Sequence, residues 1–299
     1  MAHIRIMQTS PRLGVLDENI ARHREALGQA SADGVDLLVF PELSLTGYLL
    51  KDLVPDVALT QEELVERIVG NLSGISNLEA VIGFVEETPR HRFHNSAAVL
   101  RWDSGGGVEL VHIHRKIYLP TYGLFDEGRY FVPGREVRAF ESNAVGRCGI
   151  LNCEDAWHLS LPLLLAMDGP LLEGAGVLVI PSNSPSRGVS AKSDGIPESH
   201  RTWINLLETY STLLGTVVVY ASRAGVEDGL TFAGGSRIVE PGGGCLAEAT
   251  LFEETVLDLE IDWTELMRGY RVRSPILASE NVDLVQRELA RITRHRPVE

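Results

Sequence analysis

Long apolar runs, basic charge and cysteine are what this 299-residue chain has least of. No hydrophobic stretch reaches the ~18 residues that span a bilayer, so no membrane helix is expected. The opening Met1-Ala2-His3-Ile4-Arg5-Ile6 lacks the charged segment and apolar core of a secretory leader. Cysteines number three, Cys148, Cys153 and Cys245. So small and odd a set argues against a disulfide framework and leaves room for a reactive thiol. Lys and Arg total 27 against 41 Asp and Glu, for a net charge of −14. With no basic stripe, the phosphate-neutralising contribution that drives nucleic-acid binding is missing. The expectation is a cytoplasmic protein with neither nucleic-acid nor membrane partners, kept soluble by its acidic surface.

Hydrophobic residues make up 44% of the chain, enough for a sizeable core. Strand-like and helix-like segments alternate. Ile4 to Gln8 reads as a strand, and Asp17 as the N-cap of a helix whose apolar face is Ile20, Leu27 and Ala30. Val35 to Phe40 is nearly all apolar, as suits a strand covered on both faces. Leu64, Val65, Ile68, Val69 and Leu72 mark a second amphipathic helix. Ala80–Val85, Ser96–Trp102 and Val108–His114 are strand-like, with Gly105-Gly106-Gly107 as the turn between the last two. Gly146–Asn152 forms another strand, and Ser160 with Pro162 opens a short helix. Val177–Ile180 and Thr216–Ala221 are buried-type strands around a Ser/Pro/Gly-rich loop and a helix from about Glu198 to Leu214. Strands near Ser236–Val239 and Glu254–Leu259 and a helix from about Val282 to Ile292 complete the chain. No linker or repeat divides this mixed α/β pattern, so a single domain over 1–299 is predicted.

Four residues carry chemistry. Glu42 closes the run Val35 to Pro41. Lys116 and Glu127 share the segment His114-Arg115-Lys116-Ile117-Tyr118-Leu119-Pro120-Thr121-Tyr122-Gly123-Leu124-Phe125-Asp126-Glu127. Cys153 follows Gly149-Ile150-Leu151-Asn152 and precedes Glu154-Asp155-Ala156-Trp157. At a strand end the thiol is presented at a sheet edge. A neighbouring cation such as Lys116 is expected to lower the thiol pKa. Lys116 and the Glu154 backbone N–H then serve an oxyanion, while Glu42 serves as general base and acid. Glu127 holds Lys116. Taken singly, the thiol reads as core filling, Glu42 as a turn cap, and Lys116 with Glu127 as a surface ion pair.

Together they resemble the nitrilase superfamily of carbon–nitrogen hydrolases over roughly residues 3 to 262. The segments that carry the likeness are Phe40-Pro41-Glu42-Leu43-Ser44-Leu45-Thr46-Gly47-Tyr48, His94-Asn95-Ser96-Ala97, His114-Arg115-Lys116 through Glu127-Gly128-Arg129-Tyr130-Phe131, and Cys153-Glu154-Asp155. The Leu119–Phe131 and Cys153–Trp157 segments are most similar to the glutaminase branch attached to glutamine-dependent NAD synthetase. The resemblance implies a four-layer α-β-β-α sandwich and a catalytic set of Glu42, Lys116, Glu127 and Cys153. It implies Tyr122, Glu154, Trp157 and Ser182 as substrate-binding residues, with no cofactor and no metal. It also implies a small-molecule amide substrate and a homodimer or higher homo-oligomer, with about 263–299 as a dimer-contacting tail. A cysteine amidase acting on a small carboxamide, glutamine included, is the leading expectation. The alternatives are a nitrilase, a glutaminase subunit feeding a separate synthetase, and an inactive binding scaffold. Glu154 after the nucleophile favours amides, since true nitrilases usually carry Trp there.

Three departures from that branch stand out. The chain stops at Glu299, so a stand-alone domain without the synthetase is expected. Asn152 replaces the usual aliphatic residue before the Cys. The loop from Ser182 to Pro197 has a sequence of its own. Ser104-Gly105-Gly106-Gly107 superficially resembles an ATP pyrophosphatase loop but lacks the Asp-Ser that should follow. His112 and His114 share a strand face without further ligands at metal-site spacing. Lys192, between Ser190 and Ser193, reads as a solvated loop, Cys148 as core, and Cys245 as part of a hairpin turn.

Overall fold

The computed structural model describes residues 1–70, 72–170, 173–188, 195–266, 268 and 277–294. Two mixed six-stranded sheets organise the chain. The first has the order β14-β1-β2-β3-β4-β5. It is built from β1 (Ala2–Gln8), β2 (Leu37–Val39), β3 (Leu78–Glu87), β4 (Phe93–Trp102), β5 (Val108–Arg115) and β14 (Thr255–Ile261). The second has the order β13-β12-β9-β8-β7-β6. Its strands are β6 (Phe140–Ser142), β7 (Gly146–Ile150), β8 (Val177–Ser182), β9 (Val217–Ser222), β12 (Arg237–Val239) and β13 (Cys245–Glu248). A separate hairpin pairs β10 (Ala224–Glu227) with β11 (Leu230–Ala233).

Three apolar clusters define the layers. Ile4, Ile6, Val39, Val81 and Val99 of the first sheet meet Cys148, Ile150, Val179 and Val219 of the second, which is the inter-sheet core. Helices α1 (Leu16–Ala32) and α3 (Gln61–Val69) bury Ile20, Leu27, Leu64 and Ile68 against the outer face of the first sheet. Helices α5 (Ser160–Met167) and α6 (Glu198–Leu214) bury Leu161, Leu165, Trp203 and Leu207 against the outer face of the second. The predicted α-β-β-α sandwich is therefore the architecture. One-turn helices α2 (Val54–Val57) and α4 (Glu127–Tyr130) lie in connections, and α7 (Val282–Thr293) follows near the C-terminus.

Some local expectations need correction. Asp17 does not cap α1. The helix starts at Leu16, and Asp17 sits in its first turn, where a carboxylate favours the helix dipole, and pairs with Arg67. The Cys153 strand ends two residues earlier than expected, at Ile150. The β10–β11 hairpin was not foreseen, because Gly225, Asp228 and Gly229 break up its strand pattern. Cys245 opens β13 instead of lying in the preceding turn. Lys192 and its serines fall outside the described residues, as does much of the expected tail.

The glycine turn between β4 and β5 is present, and its ends are closed by a side chain. Asp103 Oδ1 accepts from Gly105 N at 2.7 Å and Gly107 N at 2.9 Å, which occupies the N–H groups that a phosphate would need. His112 stacks on Phe140 with centroids 4.7 Å apart, and His114 binds a carboxylate described below. Among the described residues, no group of three His, Cys, Asp or Glu is placed to hold a metal ion.

Candidate active site

The parallel strands of both sheets run toward one edge, and the reactive residues follow their ends. Glu42 lies three residues beyond β2, Lys116 one beyond β5, and Cys153 three beyond β7, while Ser182 ends β8. Backbone pairing continues past β5, with Lys116 N donating to Asn95 O at 2.8 Å. Gly134 N donates to Lys116 O at 2.8 Å, so the lysine backbone is held on both sides.

Lys116 is buried between two carboxylates. Its Nζ donates to Glu42 Oε1 and to Glu127 Oε1, both at 2.7 Å. Burial works to discharge this ammonium, but Glu127 and Glu42 outweigh it and hold the pKa well above the ordinary lysine value. Burial also raises the Glu127 carboxyl, with Lys116 pulling it down and Glu42 pushing it further up. Glu127 Oε1 additionally accepts from Tyr48 Oη at 2.5 Å. Its Oε2 is buried and has no partner among the described residues.

Glu42 is fixed by two asparagines. Asn95 Nδ2 donates to its Oε1 at 2.8 Å, and Asn183 N donates to its Oε2 at 2.8 Å. Asn183 Nδ2 also donates to the Glu42 backbone oxygen at 2.7 Å. With Lys116, three donors converge on a group that has about four acceptor positions, so a lone pair stays open for a proton. The residue after Glu42, Leu43, has φ 45°, and Cys153 has φ 46°. Left-handed backbone at a non-glycine residue is strained, and such strain concentrates at functional sites.

Cys153 is partly exposed, and Ser182 Oγ donates to its Sγ at 3.2 Å. Lys116 does not win control of this thiol, contrary to the expected lowered pKa. Burial and the negative charge of Glu42 push the thiol up, and Lys116 and Ser182 offset this only in part. The resting group is therefore the thiol, and a thiol becomes a nucleophile only once a base removes its proton.

Asp155 ties the turn at Cys153 to the segment around Lys116. Its Oδ1 accepts from Ile117 N at 3.0 Å and Tyr118 N at 2.9 Å. Its Oδ2 pairs with His114 Nε2 at 2.7 Å. Glu154 points to a different neighbour, accepting from Tyr122 Oη at 2.9 Å. Tyr122 stands at the exposed rim, edge-on to Phe125, and the Arg187 guanidinium lies over that same ring at 5.1 Å. Trp157 packs edge-on against Trp203 with centroids 5.1 Å apart.

The structure thus joins Glu42, Lys116 and Glu127 by direct contacts, sets Cys153 within reach of their charges, and joins Ser182 to Cys153. It joins Tyr122 to Glu154 at the rim, while the ring contact of Trp157 is with Trp203 and not with these groups. Tyr48, Asn95, Asp155 and Asn183 were given no role from sequence. Tyr48, Asn95 and Asp155 lay inside the segments that carried the family likeness, which was the available signal, whereas Asn183 lay in the loop whose sequence departs from that branch. A cavity of about 450 Å³ lies elsewhere, beside α1 and β1, lined by Arg5, Arg22, His23 and Phe40 among others. The chemistry marks the site here, and cavity size does not.

Gly83 of β3 makes the approach of Glu42 possible. A Cβ there would lie 2.4 Å from Leu43 N, 2.5 Å from Pro41 O and 2.9 Å from Glu42 C. All three are backbone atoms and have no rotamer to yield. Gly83→Ala is expected to displace Glu42 and lower kcat/KM about 100-fold, the scale of an ångström misplacement. The overpacking should cost about 1–3 kcal/mol in urea unfolding. A variant with near-normal turnover would show that Glu42 does not need this backbone position.

The family profile of carbon-nitrogen hydrolases matches residues 3–268. The chain is 31% identical over 291 residues to the glutamine-dependent NAD(+) synthetase of Acinetobacter baylyi, covering 97% of this chain and 49% of that protein. It thus spans about half the length of the curated relatives it matches. A glutamine-dependent NAD+ synthetase structure from Acinetobacter baumannii superposes with TM-score 0.73 at 28% identity, over 87% of this chain and 45% of that one. A carbon-nitrogen hydrolase from Helicobacter pylori G27 shares the fold at TM-score 0.81 and 22% identity, with 96% and 98% of the two chains covered.

Proposed function

The chain belongs to the carbon–nitrogen hydrolase family, and we propose that it is a cysteine-dependent amidase converting a small carboxamide to its acid and ammonia. The observation that carries this reading is the buried Lys116 ammonium, held at 2.7 Å by both Glu42 and Glu127 beside the Cys153 thiol.

Glu42 takes the Sγ proton as sulfur bonds to the amide carbon, and the carbonyl oxygen becomes an oxyanion facing Lys116 Nζ and Glu154 N–H. Glu42 then gives its proton to the leaving nitrogen, the carbon–nitrogen bond breaks, and ammonia departs from a thioester. Glu42 next deprotonates a water, which attacks the thioester carbon; the carbon–sulfur bond breaks, Glu42 returns that proton to Sγ, and the acid leaves with the thiol restored. Lys116 stays charged throughout, as its two carboxylate neighbours require. Tyr122, Glu154, Trp157 and Ser182 are assigned to holding the amide.

Likeness to glutamine-dependent NAD synthetases over about half their length favours glutamine as the amide and supports a second reading, a glutaminase whose ammonia feeds a partner synthetase. Pairing of two copies also belongs to the proposal. Val285, Leu289 and Ile292 on α7 recur at helical spacing and are exposed in the single chain, as a dimer-contacting tail would require.

Matched amides and nitriles test the assignment. Glu154 can accept a hydrogen bond from an amide NH₂, whereas a nitrile nitrogen has no hydrogen to give. An unpaired acceptor of this kind costs about 1–3 kcal/mol, so kcat/KM for the amide should exceed that for the nitrile about 5- to 150-fold. Ammonia release across a panel of amides, nitriles and carbamoyl compounds supplies the measurement. A preferred nitrile hydrolysed to acid would replace the amidase by a nitrilase.

A further inference from the structure

Arg223 and Glu227 form a buried ion pair that the reaction scheme above does not use. Arg223 follows directly on β9, and Glu227 ends β10. Arg223 Nη1 donates to Glu227 Oε2 at 2.5 Å, with side chains 0% and 3% exposed. Arg223 Nε and Nη2 have no hydrogen-bond partner among the described residues, and the guanidinium stacks on the Phe232 ring at 4.4 Å. A sealed cation with unsatisfied N–H groups is a poor stability device, since apolar replacements of such pairs are often neutral or better. Its position therefore calls for another account.

The other oxygen of Glu227 points to one. Oε1 accepts from Tyr48 N at 2.9 Å and from Leu49 N at 2.8 Å. Gly47, with φ 80°, lets the chain pass so close that a Cβ there would lie 2.6 Å from Glu227 Oε2. The Tyr48 ring lies edge-on to Phe232, the same ring that carries Arg223. Tyr48 Oη in turn donates to Glu127 Oε1, the oxygen that accepts from Lys116. The same hairpin reaches the opposite wall. Ser186 N donates to Thr231 O at 2.7 Å, Pro185 bridges to Phe232, and Arg223 N donates to Ser182 O at 3.1 Å.

We propose that the Arg223–Glu227 pair is a positioning device for the amidase site: it fixes the Tyr48 backbone so that the Tyr48 hydroxyl meets Glu127 and sets the Glu127–Lys116 contact. Arg223 orients the Glu227 carboxylate, Glu227 pins the Tyr48 main chain, and Phe232 fixes the ring. Neither charged residue touches the reacting atoms. The inference rests on the amidase reading, which supplies the reaction that the pair would align.

A double-mutant cycle with the full chain separates positioning from general support. Glu227→Leu and Tyr48→Phe should each lower kcat about 10- to 100-fold, within the range of misplaced catalytic groups, with KM changed less than about 3-fold. Because both act through one contact, the double variant should be no worse than Tyr48→Phe within about 2-fold. Glu227→Gln, whose amide oxygen still accepts from both N–H groups, should recover most of the rate. Wild-type kcat in Glu227→Leu, or losses that multiply in the double variant, would overturn the proposal. If Glu227→Leu does not fold, Glu227→Gln takes its place in the cycle. Its smaller loss must then vanish in the Tyr48→Phe background, and an undiminished loss there overturns the proposal. Cys153→Ala assayed alongside keeps the two ideas apart. Turnover by Cys153→Ala defeats the amidase reading itself, whereas an inactive Cys153→Ala with multiplying Glu227 and Tyr48 losses defeats only the positioning role.

Discussion

Replacing Cys153 by alanine should leave a folded protein that releases no measurable ammonia from any amide. Without its nucleophile the site keeps the Lys116 ammonium and the backbone donors, yet no thioester can form. Sites whose members act as a unit lose at least about a thousandfold when the nucleophile goes. Folding should be nearly unaffected, because Cys153 is partly exposed and, among the described residues, its side chain gives up one hydrogen bond, from Ser182. Cys148→Ala is the matched control. That thiol lies in the inter-sheet core, and its loss should lower stability without stopping turnover. Iodoacetamide should label Cys153 and be slowed by substrate. Retained activity in Cys153→Ala together with loss in Cys148→Ala would move the chemistry to the wrong sulfur for this mechanism.

The second large effect is expected at Lys116. Lys116→Met leaves Glu42 and Glu127 facing each other in a buried site with no cation between them. Removing one partner of a buried ionic cluster costs about 3–5 kcal/mol. The oxyanion also loses its ammonium, a loss of about 100- to 1,000-fold in kcat by comparison with oxyanion-site donors elsewhere. Lys116→Arg keeps the charge, but a planar guanidinium does not fit a gap where one Nζ meets two carboxylates at 2.7 Å each. It should therefore be less damaging than Met and still well below wild type. Steady-state kinetics and urea unfolding of both variants decide the matter. Near-normal rates in both would take Lys116 out of the reaction.

Much of the fold was legible because burial writes itself into the strands. Val177–Ile180 is apolar at every position, and β8 and β9 are indeed buried on both faces. Ile20, Leu27 and Ala30 marked the buried face of α1 in the same way. The hairpin β10–β11 escaped because its pairing depends on turns at Asp228 and Gly229 and not on a hydrophobic pattern. The N-cap at Asp17 was misplaced for a related reason: helix starts are set by local backbone geometry that several residues can satisfy.

At the site, residue order alone carried the candidate inventory: the Glu42 carboxylate and the Cys153 thiol just past apolar strands, the Lys116 amine just past β5, and the Glu127 carboxylate in the connection that follows. Chain order and residue chemistry suffice for that, because strand ends are short-range features. Tertiary structure alone decided the partners. Asn95 and Asn183 reach Glu42 from β4 and from beyond β8, and Tyr48 reaches Glu127 across 79 positions of sequence. It also decided the protonation state of Cys153. A lysine in the same motif suggested an activated thiolate, yet the thiol is held up by burial and by Glu42. Desolvation and the distances between charges govern that balance, and both come into being only when the two sheets pack.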